Sequence, residues 1–345
     1  MEYVLGIDQG GTKTVSALAT PNGEILGVGY AQGSTHISHG IEHAMAQVEL
    51  SLSRAWKDAG IEPSSLLSVG AGMSGADFDD EYLLLRSALQ SLLGTQQVRV
   101  ENDVMIGMRA GTKAQWGAAL SVGTGVNVAV RSPDQREFIF GYYIEDQWQG
   151  AMAIGQHAIR RVFDAYAHLG DSTLLTDVLI ERYDVQDVHE LLKTYVTQPE
   201  RFRDIKELAP LVDELALLGD KVCIDIIDRF ASQYGLYICA GLKRLDMLNL
   251  PVEVVLSGSV MKSKAPWFRE TMIHRIHQEA PRAYLVDARY EPVVGGLLSA
   301  LELMQVPLDP DAPATHMIDH TADSKGLLRL SDVACAPQTL SGENC

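Results

Sequence analysis

The chain has 345 residues, 46% of them hydrophobic, so it can bury a sizeable core and is expected to form two domains. Its formal net charge of -17 argues against a partner such as a nucleic acid, whose phosphate backbone rewards positive surfaces. No run of about 18 apolar residues is present to span a membrane, and Met1-Glu2-Tyr3 opens no basic, apolar leader, so the expected setting is the cytoplasm with no membrane partner.

The apolar run from Tyr3 delivers Asp8 into Gln9-Gly10-Gly11-Thr12-Lys13-Thr14, and a second run, Val15 to Thr20, leads away to Pro21-Asn22-Gly23. This pattern predicts a β-hairpin whose bend carries the chemistry. Glycines let the backbone approach a ligand closely, successive amide N–H groups can form an anion nest, and Thr12, Lys13 and Thr14 add donors and positive charge. Phosphate is the matching guest, with Asp8 placed to hold a hydrated Mg2+ against its oxygens. A glycine hairpin without a ligand is the other reading of this stretch taken alone. The Walker pattern is absent, because neither its Gly-Lys-Ser/Thr ending nor a following helix is present.

Glu24 to Ala31 alternates as a third strand and is followed by the polar loop Gln32-Gly33-Ser34-Thr35-His36-Ile37-Ser38. Apolar spacing predicts a helix from Ile41 to Ala59, ended by Gly60 and Pro63. Ser68 to Met73 reads as a strand running into Ser74-Gly75-Ala76-Asp77, and Asp79 to Leu93 as a helix. Val98 to Glu101 is a strand ending on Asn102-Asp103, with a helix from Val104 to Ala110 behind it. A carboxylate at the carboxyl end of a strand stands where open α/β sheets place ligands; Asp103 is equally suited to cap that helix.

Gly117 to Val130 then repeats the opening plan: strand, Gly123-Thr124-Gly125 turn, strand. Two glycine hairpins facing one another, with a carboxylate between them, can clamp a nucleotide triphosphate between two domains. Phe138 to Tyr143 is expected to continue the second sheet, and Glu145 to Gly150 is a polar turn before a helix from Ala151 to Ala167. Helices and turns fill Asp171 to Gly219, and one long helix runs from Asp220 to Leu245. Val252 to Val260 is a strand breaking at Gly258, Ala283 to Val286 is the last strand, and Pro292 to Met304 is a helix rich in small residues. Beyond Pro307 the chain is expected to be loosely attached or a crossing segment, with a disordered polar tip at Gln338 to Cys345. Cys223, Cys239, Cys335 and Cys345 form no C-x-x-C pair and read as reduced thiols outside any zinc or iron–sulfur site. His274 and His277, three apart, read as part of a solvated helix face.

Together these landmarks resemble the acetate and sugar kinase, Hsp70 and actin superfamily, and within it the BadF/BadG/BcrA/BcrD ATPase family that includes the N-acetylglucosamine kinases. Asp8 to Thr14 looks like the first phosphate motif, Gly123 to Asn127 like the second, Leu256-Ser257-Gly258-Ser259-Val260 like the adenosine motif, and Met73 to Asp77 like the Ser-Gly loop. Residues 205–212 and 292–296 are also similar to the family.

The resemblance implies an α/β fold of two actin-like (ribonuclease H-like) domains with an ATP cleft between them: 1–116, 117–306 with a helical insertion, and an extension, 307–345. It implies that Asp103 is the catalytic base of an ATP- and Mg2+-dependent kinase, that Gly10, Gly11, Thr12, Lys13, Thr14, Gly123, Thr124, Gly125, Gly258 and Ser259 bind ATP, and that Asp8 anchors Mg2+ through water. The acceptor, a sugar or amino sugar, is assigned to His36, Ser74, Gly75, Asn102, Asn127 and Asp146, and a homodimer is a candidate assembly.

Two departures fall on the acceptor side. Where those kinases carry Gly-Asp-Glu-Gly-Ser before the long helix, this chain has Ile144-Glu145-Asp146-Gln147-Trp148-Gln149-Gly150, and His36 replaces an Asn in the third-strand loop. On the nucleotide side, Ser259 stands for a common Gly and Val126 for a common Ser. A different sugar is the expected consequence. Two other readings accompany this one: an ATPase that activates a partner's redox step, and a sensor that binds ATP or sugar without catalysis.

Overall fold

A computed structural model of the chain describes residues 2–263 and 265–329. The expectations for the tip at Gln338 to Cys345, and for Cys335 and Cys345, fall outside the described residues.

The first part of the chain supplies β1 (Tyr3–Gln9), β2 (Lys13–Ala19), β3 (Ile25–Gln32), α1 (His36–His39), α2 (Ile41–Ala59), β4 (Leu66–Met73), α3 (Asp79–Leu93), β5 (Val98–Asn102) and α4 (Asp103–Arg109). Its sheet runs β3-β2-β1-β4-β5, antiparallel through the opening hairpins and parallel where β4 joins β1 and β5 joins β4. The remainder adds β6 (Gly117–Val122), β7 (Val126–Arg131), β8 (Glu137–Ile139), α5 (Gly150–Tyr166), α6 (Leu175–Tyr183), α7 (Val188–Thr197), α8 (Leu208–Leu217) and α9 (Lys221–Arg244). After these come β9 (Glu253–Ser257), α10 (Pro266–His277), β10 (Tyr284–Asp287), α11 (Pro292–Leu303) and α12 (Pro313–Ser324). The second sheet runs β10-β9-β6-β7-β8. Read from its last hairpin strand it has the order of the first, so the repeated strand–turn–strand in the sequence is repeated in space.

Every residue of β1 is buried, which its near-continuous apolar run requires of a strand covered on both faces. Leu5 and Ile7 pack with Ala44, Val48, Leu85 and Leu89 of α2 and α3, while Val4 on the opposite face packs with α11. Gly6 is required there, since a Cβ would stand 2.5 Å from the Val293 carbonyl oxygen.

Two helices lie between the sheets. The residues from Val104 to Arg109 in α4 are all buried, and Val104, Met105 and Met108 pack on Ala119, Ala129 and Val255 of the second sheet. In α11 every residue from Val293 to Leu301 is buried, as expected of a helix apolar on all sides. The two helices touch where Gly295 lies against the Ile106 carbonyl, a contact that leaves no room for a Cβ.

Two local expectations are corrected. The strand expected over Phe138 to Tyr143 ends at Ile139, because Gly141 adopts φ +40° and turns the chain into the 3-10 segment Gly141–Tyr143. The segment after Pro307 is not loosely attached: Pro313 starts α12, which buries Ala314, Ile318 and Ala322, with Ile318 and Ala322 in the cluster that holds Ile25 and Leu298. His274 and His277 of α10 are exposed as expected, with His277 Nε2 2.9 Å from the Ala283 carbonyl oxygen. Among the described residues no helix is long and apolar enough to cross a membrane.

Candidate active site

Parallel pairing gathers three strand ends at one edge of the first sheet: Asp8 opposite Gly72, Gln9 opposite Met73, and Met73 opposite Asn102. The turn after β1 is pinned at its base. The Gly10 amide donates to the Lys13 carbonyl at 2.9 Å, and the Ser34 and Gly33 amides donate to the Gly10 and Thr12 carbonyls at 3.2 Å each. Gly11 and Thr12 are exposed at the tip, and nothing lies within 4 Å of where a Gly11 Cβ would stand, so their amides are accessible to an anion. Thr14 does not share that role: it is buried and its hydroxyl donates to the Gln32 carbonyl at 2.8 Å. Lys13 is half exposed, with Nζ 3.3 Å from Glu291 Oε2 at the start of α11.

The second turn closes through Gly123 N–H to the Gly125 carbonyl at 2.9 Å, leaving Thr124 and Gly125 exposed. The start of α5 is bound to it: the Ala151 and Met152 amides donate to the Gly123 and Thr124 carbonyls at 2.9 and 3.2 Å. Gly150 makes this junction possible, with φ +55° and no space for a Cβ between the Gly123 and Gly125 carbonyls. Gln149 fastens the preceding loop by accepting from Val126 N–H at 3.3 Å and donating to the Ile144 carbonyl at 3.1 Å. Gly258, at φ +95°, lies directly against Val122, so the third glycine turn stands beside the second, with Ser259 following it.

Asp103 is the first residue of α4, and the capping role falls to its neighbour. Asn102 Oδ1 accepts from Val104 N–H at 3.1 Å, while its Nδ2 donates to Asp77 Oδ1 at 2.8 Å and to the Ala76 carbonyl at 3.1 Å. The Asp103 carboxyl shares the Val104 amide with Asn102 and also accepts from the Ser74 hydroxyl. Burial, reinforced by the Asp77 charge, pushes its pKa up to about 6, against the pull of the Ser74 hydroxyl and the Val104 amide. Asp8 is pushed up to about 7, first by burial and then by the negative charge of Asp103, with Lys13 acting in the opposite sense. Two facing carboxylates held this way have a value suited to proton transfer and a deficit of positive charge. Among the described residues no group of three or more His, Cys, Asp or Glu is arranged to hold a metal alone, so a cation at Asp8 would take the rest of its shell from water and ligand oxygens.

On the other side, the His36 side chain is nine-tenths buried, with Nε2 3.5 Å from Glu81 Oε1 and the ring against Gly75. Neither ring nitrogen has a hydrogen-bond partner among the described residues. Glu81 also accepts from the Asp77 and Phe78 amides at 2.9 and 3.0 Å. Burial, then the Glu81 charge, raises Asp77, with His36 and Asn102 opposing. From the second sheet, Asn127 accepts the Gly141 amide at 3.0 Å and directs Nδ2 at Asn102 Oδ1, 3.4 Å away. Across the same gap Phe78 and Tyr142 stack with centroids 5.8 Å apart and planes 5° from parallel. Asp146 is exposed, and among the described residues no hydrogen bond or ion pair joins its carboxylate to this group.

The structure thus brings Asp8, Ser74, Gly75, Asn102, Asp103, Asn127 and His36 together, while Asp146 is exposed and makes no hydrogen bond to them among the described residues. Sequence reasoning passed over Asp77, Glu81 and Glu291. Glu81, in the first turn of α3, reaches back to the Phe78 amide, but Phe78 offers no side-chain acceptor and so no capping-box signal; Glu291 precedes Pro292 at the first turn of α11, a helix start with nothing to mark its long-range partner Lys13.

Comparison with known proteins bears on the family and the fold. The family model of the BadF/BadG/BcrA/BcrD ATPase family matches residues 5–300. The chain is 26% identical over 319 residues to N-acetyl-D-glucosamine kinase of Dictyostelium discoideum, covering 87% of this chain and 98% of that one. It is 24% identical over 306 residues to N-acetylmuramic acid/N-acetylglucosamine kinase of Clostridium acetobutylicum, with the same two coverages, 87% and 98%. Its fold is similar to the solved structure of a Chromobacterium violaceum protein provisionally named an N-acetylglucosamine kinase, at TM-score 0.63 and 20% identity, covering 86% of this chain and 98% of that one. The two-sheet architecture is accordingly the actin-like ATPase fold.

Proposed function

The chain belongs to the BadF/BadG/BcrA/BcrD ATPase family, and from that premise we propose that it is a cytoplasmic, ATP- and Mg2+-dependent kinase acting on a hydroxyl of a sugar or amino sugar. The observation that carries the reading is Asp103: a buried carboxylate at the carboxyl end of β5, raised to about 6 and close enough to Asp8 to raise that carboxyl as well. Relatives named for amino sugars support that acceptor class.

In this reading residues 1–116 and 117–306 are the two lobes, with 307–345 an extension. The amides of Gly10, Gly11 and Thr12 and of Gly123, Thr124 and Gly125 cradle the phosphates, with Lys13 beside the first turn and Gly258 and Ser259 beside the nucleoside. Asp103 accepts the proton of the attacking hydroxyl, and the remaining work is positioning and charge stabilisation. His36, Ser74, Gly75, Asn102 and Asn127 orient the acceptor, with Asp146 reaching it only on closure. Closure of the lobes excludes water and suppresses idle ATP hydrolysis. The donor set fits a hydrated Mg2+: Asp8 is a buried carboxylate short of positive charge, and the ion would supply neutralisation of the phosphate oxygens.

A redox-activator reading gains nothing from Cys223 and Cys239, both buried in α9, where burial pushes the Cys239 thiol up to about 11. The test is ADP release from ATP and Mg2+ on a panel of N-acetylglucosamine, glucosamine, N-acetylmuramic acid and glucose. Release that depends on one of these sugars supports the proposal; ATP binding with no sugar-dependent turnover across a broad panel contradicts it and points to a sensor.

A further inference from the structure

The strands that carry the two halves of the cleft belong to different sheets, and no backbone ladder joins β5 to β7. They are joined by side chains. Arg131, the last residue of β7, is 3% exposed and donates from Nη2 to Oε1 of Glu101, which is 5% exposed on β5. Its Nε donates to Glu137 Oε1 at 2.7 Å, and the other Glu101 oxygen accepts from the Ser299 hydroxyl of α11 at 2.7 Å. Burial alone would raise the Glu101 carboxyl; Arg131 and Ser299 overcome it and hold the group below the ordinary carboxylate range.

A buried ion pair of this kind is a poor device for stability, because desolvating both charges consumes most of what their attraction returns. Its placement gives it another use. Glu101 stands two residues before Asp103, whereas Arg131 is at the opposite end of β7 from Gly123-Thr124-Gly125. Six residues of strand make a lever of roughly 20 Å between bridge and turn. With one end of β7 fixed beside Asp103, motion of the second sheet about α4 and α11 carries the turn along a set arc. The 3.4 Å contact of Asn127 with Asn102 lies at the turn end of that lever.

We propose that Arg131 is a positioning residue for phosphoryl transfer: through Glu101 it holds β7 at a pivot, so that the phosphate-bearing turn closes onto Asp103 in the reactive register. This rests on the kinase reading above.

The experiment compares wild type, Glu101→Gln, Arg131→Gln and the double variant. Each single change is expected to lower kcat about 10- to 100-fold, the scale of a misplacement near 1 Å. KM for ATP and for the sugar should stay within about threefold. Because the residues act as one bridge, the double variant should lose no more than the worse single variant. It also leaves no unpaired buried charge, so it carries the test if a single variant fails to fold.

Small-angle scattering with a non-hydrolysable ATP analogue reads closure without turnover: wild type should compact, and the double variant should bind the analogue and compact less. A folded double variant with kcat within about twofold of wild type, or losses that multiply in the double variant, would overturn the proposal. Equal compaction of the two proteins, or none in wild type, would do the same. If wild type phosphorylates no sugar, the kinase reading fails by itself and the scattering comparison alone decides the role of the bridge.

Discussion

Replacing Asp103 by Asn should make the protein more stable and nearly inactive, and the size of the first effect follows from the structure. The Asp103 carboxyl is raised from 3.8 to about 6, a shift caused first by burial. At about 1.4 kcal/mol per unit, holding this group ionised in the folded state costs up to about 3 kcal/mol at neutral pH. The sign follows from proton uptake: with the folded pKa above the unfolded value, the folded state binds more protons between them. Stability is therefore full below about pH 4 and falls as pH rises through 6. An amide at position 103 carries no such penalty and can still accept from Ser74. At a few degrees per kcal/mol for a chain of this size, Tm at pH 7.5 should rise by about 3–8 °C, and the gain should shrink to about a degree at pH 4. Phosphoryl transfer should drop by about 10²–10⁴ while ATP still binds. Calorimetric scans without nucleotide or Mg2+ at the two pH values check the stability effect. A lower Tm at neutral pH, or a gain of the same size at pH 4, would refute the reasoning.

Gly150→Ala forces a Cβ against the Gly123 and Gly125 carbonyls at φ +55°; denaturant melts should report a loss of about 1–3 kcal/mol, with a raised KM for ATP. Lys13→Met removes an ion pair whose Lys side chain is 49% exposed, so stability should move by less than about 1 kcal/mol while KM for ATP rises about tenfold; an unchanged KM would place Lys13 outside the nucleotide site. His36→Asn changes a ring with two unpartnered buried nitrogens. Competition kinetics should show the preference among amino sugars shifting about tenfold or more, with KM for ATP unchanged.

Much of the framework was legible because its patterns are local. The buried run of β1 and the glycine turns at Gly10 and Gly123 announce hairpins, and the spacing of α2 and α9 announces helices. What failed was decided by single dihedrals or by distant partners. Aromatic residues from Phe138 to Tyr143 favour a strand, but Gly141 at φ +40° ends it. Asp103 was read as a cap for the helix behind it, yet the helix begins one residue earlier, with Asn102 as its N-cap. Thr14 looked like a ligand donor beside Lys13, yet strand alternation sends its hydroxyl to the Gln32 carbonyl. The return of α11 onto the first sheet, which brings Glu291 to Lys13 and Ser299 to Glu101, has no local signature.

The central claim is that the cleft moves a phosphoryl group from ATP to a sugar hydroxyl. Phosphorus NMR of a reaction containing the protein, ATP, Mg2+ and the preferred sugar of the panel tests it most directly. The account predicts a new phosphomonoester resonance, coupled to a sugar proton and growing in a one-to-one ratio with ADP, and neither signal with Asn at position 103. Inorganic phosphate appearing with ADP in place of that ester would contradict it.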